Sequence, residues 1–464
     1  MSNRLGVRIE RNGSGNYECK PGAGGLATAL LPLLQKRGGT WIGFAGVHDD
    51  DDEGFAHLLA EERAFSYVPV LPPRQLYDDY YKGYANRWLW PLCHSLRTYA
   101  EYQMQEHWQA YVAMNERFAG EVAARAEEHD LIWIHDYHLM LVPRMLRQHG
   151  MRQRIGFFLH IPFPQPDVFM MGEAEHGRRI IDSLLAVDVI GFQEPRSRDN
   201  FLLAVRRGRE VTVSPNAGNP GGRVVAVGDH KCFAGVFPIG VDVMQLMLDA
   251  ETRLVKQPPL TAPEVEMLIV AVDRLDYTKA VPERLDGYRL FLERHPEWHK
   301  RVALVQVLDL SRGDIPAYGA ELNRVKRLVT DINGQASGDW VPVQLSCQRW
   351  ERSHLAQLYQ QARVGLITPR CDGQNLCAKE FVAMAPDDGR LVLGIGTGAS
   401  WQLGEDALLV DGGSPEFVAA VLCQALNMEN SEARARMARM KLCVSGQNVH
   451  WWGEQFIRAL RDGS

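Results

Sequence analysis

What the sequence lacks narrows it first. No apolar run reaches about 18 residues, so no membrane span is indicated. There is no G-x-x-x-x-G-K-[ST], which disfavours a P-loop kinase or ATPase. No G-x-G-x-x-G follows a strand, which disfavours a dinucleotide dehydrogenase. Positive charge is in deficit, 51 Lys and Arg against 57 Asp and Glu, and the net charge of −6 speaks against broad nucleic-acid binding. A local basic cleft for phosphates stays compatible with that balance. The opening stretch, MSNRLGVRIERNGSG, carries arginines but no apolar core, so no secretory signal is expected and the chain reads as cytoplasmic. None of the eight cysteines (Cys19, Cys93, Cys232, Cys347, Cys371, Cys377, Cys423 and Cys443) forms a C-x-x-C pair. Several lie in apolar stretches, and reduced, buried thiols are expected rather than disulfides or a zinc site.

What is present is ordinary for a globular protein: 46% apolar and 23% charged residues over 464 positions. That length is about twice the size at which one core stops growing, so two domains are expected. Short apolar runs alternate with longer amphipathic segments. The runs at 130–136, 154–163, 186–193, 266–276, 301–308, 363–369 and 390–395 read as buried parallel strands. Segments 76–96 and 352–362 read as helices. This alternation predicts an α/β fold with parallel sheets. A boundary is expected after 237–242, followed by a proline-containing loop at 256–264. The acidic run 48–55 reads as a solvated loop and 216–223 as a surface connection.

Polar groups recur at the ends of these strands, where open α/β sheets bind ligands. Asp136 ends the first run and His160 directly follows FFL within the second. Arg274, Asp276 and Lys279 follow IVAV of the fourth, and Ser311, Arg312, Gly313 and Asp314 follow the fifth. Asp372, Gly373, Gln374 and Asn375 follow the sixth and open a helix. Singly each has a plainer account: His160 as a structural histidine, Asp136 as a helix N-cap, Arg274 and Asp276 as a surface ion pair. Together they favour one cleft. Arg274, Lys279 and Arg312 supply cations for phosphate oxygens, with arginine offering bidentate geometry. The helix start at Asp372 and Gly373 offers backbone N–H groups to an anion. Glu380, farther along that helix, is placed to accept ribose hydroxyls. Diphosphate, ribose and sugar together mean a nucleotide-sugar.

At these residues the sequence resembles the trehalose-6-phosphate synthase family of retaining glycosyltransferases, glycosyltransferase family 20. The motifs IHDYHLMLVP (134–143), GFFLHIPFP (156–164), DRLDYTKAVPERL (273–285), SRGD (311–314) and DGQNLCAKEFVA (372–383) come in the family's order. The likeness extends to FPIGVD, DINGQ and the terminal HWWGEQF. It implies the GT-B fold, two Rossmann-like domains facing a cleft. The acceptor domain would be 1–243, the donor domain 244–445, and the tail 446–464 would pack back on the first. By the same motifs Arg274 and Lys279 would bind the donor diphosphate and Glu380 the ribose. Gly25, Asp372, Gly373, Gln374, Asn375 and Leu376 would complete the donor site. His160 would lie beside the reacting carbon, with Asp136 on a sugar hydroxyl. Arg4, Tyr81 and Arg312 would hold the acceptor phosphate, and Trp41 and Trp90 its walls. The implied partners are a nucleotide-sugar and glucose 6-phosphate, with no cofactor, metal, nucleic acid or membrane, and with homo-oligomerisation left open. Retention without a carboxylate nucleophile implies front-face attack, the leaving phosphate taking the acceptor's proton.

Departures from the family pattern are informative. Only Met1 and Ser2 precede Asn3 and Arg4, so the usual first strand is expected to be missing or Arg4 poorly anchored. The family's Lys-Gly is Lys279-Ala280, its Met or Leu in D-G-x-N is Gln374, and an acidic residue before a leucine is Gln402. These changes gather around the donor sugar. They keep open a relative with another donor or acceptor, such as glycerol 3-phosphate or a cyclitol, and a non-catalytic sugar-phosphate sensor.

Overall fold

The computed structural model describes residues 1–463 except 23, 52, 60–63, 102–104, 172–173, 208, 217–220, 253–263 and 311–315. The expected connections at 216–223 and 256–264 lie largely outside the described residues, and Ser311 to Asp314 lie wholly outside them. The chain divides into two compact units, Met1–Ile239 with His450–Ser464, and Gly240–Val449.

The second unit is built on strands whose residues are apolar on both faces. They are β11 (Met267–Arg274), β12 (Val302–Asp309), β13 (Val343–Ser346), β14 (Val364–Ile367), β15 (Arg390–Gly394) and β16 (Leu408–Val410). Both faces of β11 and β12 are buried nearly throughout, as helices on either side of a parallel sheet require. The six strands run parallel in the order β13-β12-β11-β14-β15-β16. The chain starts at the centre, winds outward, then returns to the centre at β14. Strand order therefore reverses between β11 and β14, the place where a doubly wound sheet leaves a crevice beyond its strand ends.

The first unit opens with an antiparallel hairpin, β1 (Val7–Arg11) and β2 (Tyr17–Pro21), followed by the parallel pair β3 (Thr40–Gly43) and β4 (Ser66–Pro69). A six-stranded sheet then takes β5 (Leu131–His135), β6 (Arg154–Phe158), β7 (Val189–Phe192), β8 (Thr212–Pro215), β9 (Arg223–Val227) and β10 (His230–Val236), ordered β5-β6-β7-β10-β9-β8. Its last two strands form an antiparallel edge. Residues 1–5 lie between the two sheets: Ser2 bridges His135 and Arg4 bridges Phe44, both parallel. Ser2 N donates to Ile42 O at 3.1 Å and His135 N to Met1 O at 3.0 Å. This corrects the expectation of an absent first strand. A few residues fill its slot, and the order β4-β3-(1–5)-β5-β6-β7 repeats that of the second unit. Two doubly wound α/β units in one chain give the GT-B class.

The helix Val449–Asp462 enters the core of the first unit. Phe456 stacks on Trp133 with centroids 4.6 Å apart, and Trp452 lies 5.2 Å from Phe158. Gly156 and Gly191 floor this seat. A Cβ on either would fall 2.7–2.8 Å from the Phe456 ring, so neither strand admits a side chain there.

Candidate active site

In the second unit the loops after β11 and β14 flank the switch point. Asp273, near the end of β11, is buried and receives Arg284 Nη1 at 2.5 Å. Arg284 is itself fully buried. Its Nε donates to Thr368 Oγ1 at 3.0 Å, Nη1 to Gln306 Oε1 at 3.1 Å, and Nη2 to the Lys279 carbonyl at 3.3 Å. One guanidinium thus ties β11 and β12 to the residue after β14 and fixes the backbone of Lys279. Sequence reasoning passed over Arg284, although it sits inside the DRLDYTKAVPERL motif. An arginine four residues into a helix reads as surface until its partners are seen.

Arg274 ends β11 half-buried. Asp276 caps the short turn Tyr277–Lys279, accepting from Thr278 N at 3.0 Å. Ala280 follows in the left-handed region, φ 53° and ψ 39°. This turn aims Lys279 at the second loop, where Nζ forms an ion pair with Asp372 Oδ2. Burial alone would lower the Lys279 ammonium and Arg274 opposes it too, yet Asp372 and Asp273 hold it above its ordinary value.

Asp372 also accepts from Asn375 Nδ2 at 3.1 Å. Asn375 is left-handed, φ 63°, and caps the helix Leu376–Met384, its Oδ1 accepting from Ala378 N at 3.2 Å. The loop from Asp372 to Leu376 is pinned to the one after β15: Asp372 N donates to Gly396 O at 3.0 Å and Ala399 N to Gln374 O at 3.1 Å. Gln374 Nε2 donates to Gln402 Oε1 at 2.5 Å, and Gln402 Nε2 donates to Gln447. Two of the positions that depart from the family pattern are therefore direct partners. Glu380 lies on the same helix, its carboxyl raised by burial against the pull of Arg352 and Tyr359. Its neighbour Lys379 is buried, which lowers its ammonium to about 7.

In the first unit Asp136 directly follows β5 with φ 77° and ψ 166°, a strained conformation for a residue with a Cβ. Its Oδ1 accepts the backbone N–H of His160 at 3.2 Å. His160 Nε2 lies 3.1 Å from His135 Nδ1, and His160 Nδ1 lies 3.4 Å from Gln193 Nε2. Burial lowers His160 to about 3 and His135 well below the usual imidazole range. His135 and Gln193 were not singled out from the sequence. The same strand-end rule that found Asp136 and His160 would have reached both.

The N-terminal set falls into one cluster, apart from Gly25. Arg4 is exposed, its guanidinium 4.7 Å from the Tyr81 ring. Tyr81 stacks between Tyr77, at 5.5 Å, and His138, at 5.6 Å. Burial pushes the Tyr77 hydroxyl up to about 12, with Arg4 pulling it back. Tyr81 belongs to an eleven-residue π-helix, Asp79–Leu89, inside the segment read as ordinary helix. A π-helix is rare at such length and is a mark of functional sites. Trp90 follows it, buried, 4.2 Å from His94 and 5.6 Å from Tyr137. Trp41 is 2% exposed and donates its indole N–H to Ser2 Oγ at 2.8 Å, so it lies beneath the residues that carry Arg4. Gly25 starts the helix Gly25–Arg37. Arg312 lies outside the described residues.

With this geometry in hand, comparison with known proteins is specific. The model of glycosyltransferase family 20 matches residues 1–462. A trehalose-6-phosphate synthase of Mycolicibacterium vanbaalenii is 37% identical, over 99% of this chain and 95% of that protein. A bifunctional trehalose-6-phosphate synthase/phosphatase of Thermoproteus tenax is 35% identical over 99% of this chain, which spans only 63% of that longer protein. The crystal structure of a UDP-forming α,α-trehalose-phosphate synthase of Burkholderia xenovorans with glucose 6-phosphate superposes with a TM-score of 0.85. It is 29% identical over 99% of this chain and 98% of that one.

Proposed function

The chain belongs to glycosyltransferase family 20, and from that premise we propose that it moves glucose from UDP-, ADP- or GDP-glucose onto glucose 6-phosphate, giving α,α-trehalose 6-phosphate with retention. The observation that carries this reading is the pair of loops at the switch point of the second unit. Lys279 and Arg274 come from one, and the capped helix start Asp372–Asn375 from the other. Such a site suits a diphosphate: two cations and a helix N-terminus stabilise the charge that grows on the leaving group. Asp372 would take sugar hydroxyls once a phosphate relieves it of Lys279, and Glu380 the ribose. Related proteins named as UDP-forming support a uridine donor, and the glucose 6-phosphate bound to one of them supports that acceptor.

For the acceptor, Arg4 with Tyr81 supplies a cation on an aromatic shelf, and Asp136 a carboxylate for a hydroxyl. His160 would stand beside the reacting carbon. No side chain is required as nucleophile. The leaving phosphate oxygen takes the acceptor's proton as the new bond forms on the same face, and the protein's contribution is positioning and electrostatics.

Release of nucleoside diphosphate from each of the three donors, with glucose 6-phosphate, glycerol 3-phosphate or no acceptor, tests the reading. Glucose 6-phosphate-dependent release, with an α,α-linked product by NMR, supports it. Binding of glucose 6-phosphate without turnover of any donor would make the protein a sensor. The Gln374–Gln402 contact favours one second reading, a synthase with a different donor sugar, since it replaces an apolar and an acidic residue of the family pattern. Activity confined to a donor other than glucose would establish it.

A further inference from the structure

Gln193 follows β7 and is 2% exposed. Its two amide ends have different partners, and one of them can act in only one way. Ile239 N, a backbone donor, lies 2.9 Å from Oε1, so this end must be the carbonyl. The other end, Nε2, is then a donor and nothing else, and it faces His160 Nδ1 at 3.4 Å. His160 Nδ1 must therefore accept, which places the imidazole proton on Nε2. That N–H points at His135 Nδ1, 3.1 Å away, which accepts in turn. The direction of the whole relay follows from one backbone N–H.

We propose that Gln193 is a positioning residue that holds the neutral His160 ring in its Nε2–H tautomer beside the reacting carbon. The inference rests on the placement of His160 given under the proposed function. The physical need is clear. Transfer at a sugar carbon passes through an oxocarbenium-like state, and positive charge on a neighbouring ring would raise its energy. Protonated His160 would set an N–H against the Gln193 NH₂, two donors face to face. Among the described residues, the charged or titratable groups against His160 are His135, the last residue of β5, and Asp136, whose carboxylate receives the His160 backbone N–H. Phe158 and Trp452 press on the ring without charge, at 4.6 and 5.9 Å. Asp136 alone would favour the imidazolium; burial of the ring opposes it, and Gln193 decides which nitrogen of the neutral ring keeps the proton.

Histidine ¹⁵N NMR of the wild-type chain, with His160 assigned by its loss in His160→Gln, reads the tautomer directly and needs no substrate. The Nε2–H form across pH 5–8 supports the proposal; the Nδ1–H form or an imidazolium in that range overturns it. Gln193→Glu keeps the acceptor for Ile239 N–H and turns the other end into an acceptor, so His160 should move its proton to Nδ1 and titrate. The kcat of this variant should gain an acid limb, falling about tenfold per pH unit below the new pKa, with little change in donor or acceptor KM. Gln193→Met, whose thioether is only a weak acceptor, should show no such limb. A reversed tautomer in Gln193→Glu with a wild-type kcat profile would overturn the positioning role. Wild-type protein that shows the Nε2–H form yet transfers no sugar would instead count against the proposed function.

Discussion

Lys279 and Asp372 hold each other across the switch point of the second unit, the ammonium of one loop seated on the carboxylate of the next. Each occupies the partner that the other would give to a donor, so a diphosphate entering the loop start would part them and put both to use. Lys279→Met removes the cation that is paired with the half-buried Asp372 carboxylate. The kcat for nucleoside diphosphate release should fall about 10²–10³-fold, the scale seen when one preorganised stabilising group is lost. Asp372→Asn added to it should not restore the rate. Turnover within a few-fold of wild type would remove Lys279 from the donor site.

Arg4 lies over Tyr81 on the first unit, exposed and held by the parallel bridge to Phe44. Arg4→Ala should raise the KM for glucose 6-phosphate about 10–100-fold, the worth of a charge-assisted hydrogen bond, and leave the donor KM near its wild-type value. Equal changes in both would show that Arg4 supports the fold of residues 1–5 instead.

Acid should destabilise the first unit through its buried histidines. His160 is lowered to about 3 and His135 well below its ordinary value, both by burial. Between the folded value and about 6.5 the unfolded chain binds the proton and the folded chain does not, so stability rises with pH across that window. The contribution is complete above about 6.5 and is lost as pH falls towards 3, by at most about 1.4 kcal/mol per pH unit for each ring. Urea denaturation from pH 7 to pH 5 should show this slope, and His160→Gln should reduce it. Parallel curves for the two proteins would mean that His160 titrates alike folded and unfolded.

Ala280 sits at φ 53°, where a Cβ costs about 1–2 kcal/mol and glycine pays nothing. Ala280→Gly gives back part of that gain through the freer unfolded chain, leaving about 0.5–1 kcal/mol of net stabilisation. A higher urea midpoint at an unchanged slope is the expected result. A lower midpoint would mean that packing around the methyl outweighs its backbone strain.

Seven strands were legible because buried parallel strands are continuous apolar runs; each run covers one, β12 reaching a single residue beyond its run. The run at 154–163 overshoots, since β6 ends at Phe158 and the rest is irregular. Strands with polar residues or turns close by gave no such signal: β8 is mostly exposed, β10 starts with His230 and Lys231, and residues 1–5 pair only through two isolated bridges to the neighbours that bracket them. The π pitch of Asp79–Leu89 was hidden for a different reason, since side-chain periodicity over eleven residues does not separate two helical pitches. Strand-end polar residues marked the loops around Lys279 and Asp372. The support beneath Lys279 was not marked, nor the one beside His160, because burial of Arg284 and of Gln193 is decided by partners distant in sequence.

The seat of the Val449–Asp462 helix has a meaning for how the protein is made. Phe456 closes over Gly156 and Gly191, yet a ribosome delivers it only after every strand of the second unit has emerged. Until then the first unit displays a bare apolar trough along β6 and β7, while the second unit already holds all of its own strands. Translation order would thus let the later unit finish first, and the earlier one would need shielding from aggregation through that interval.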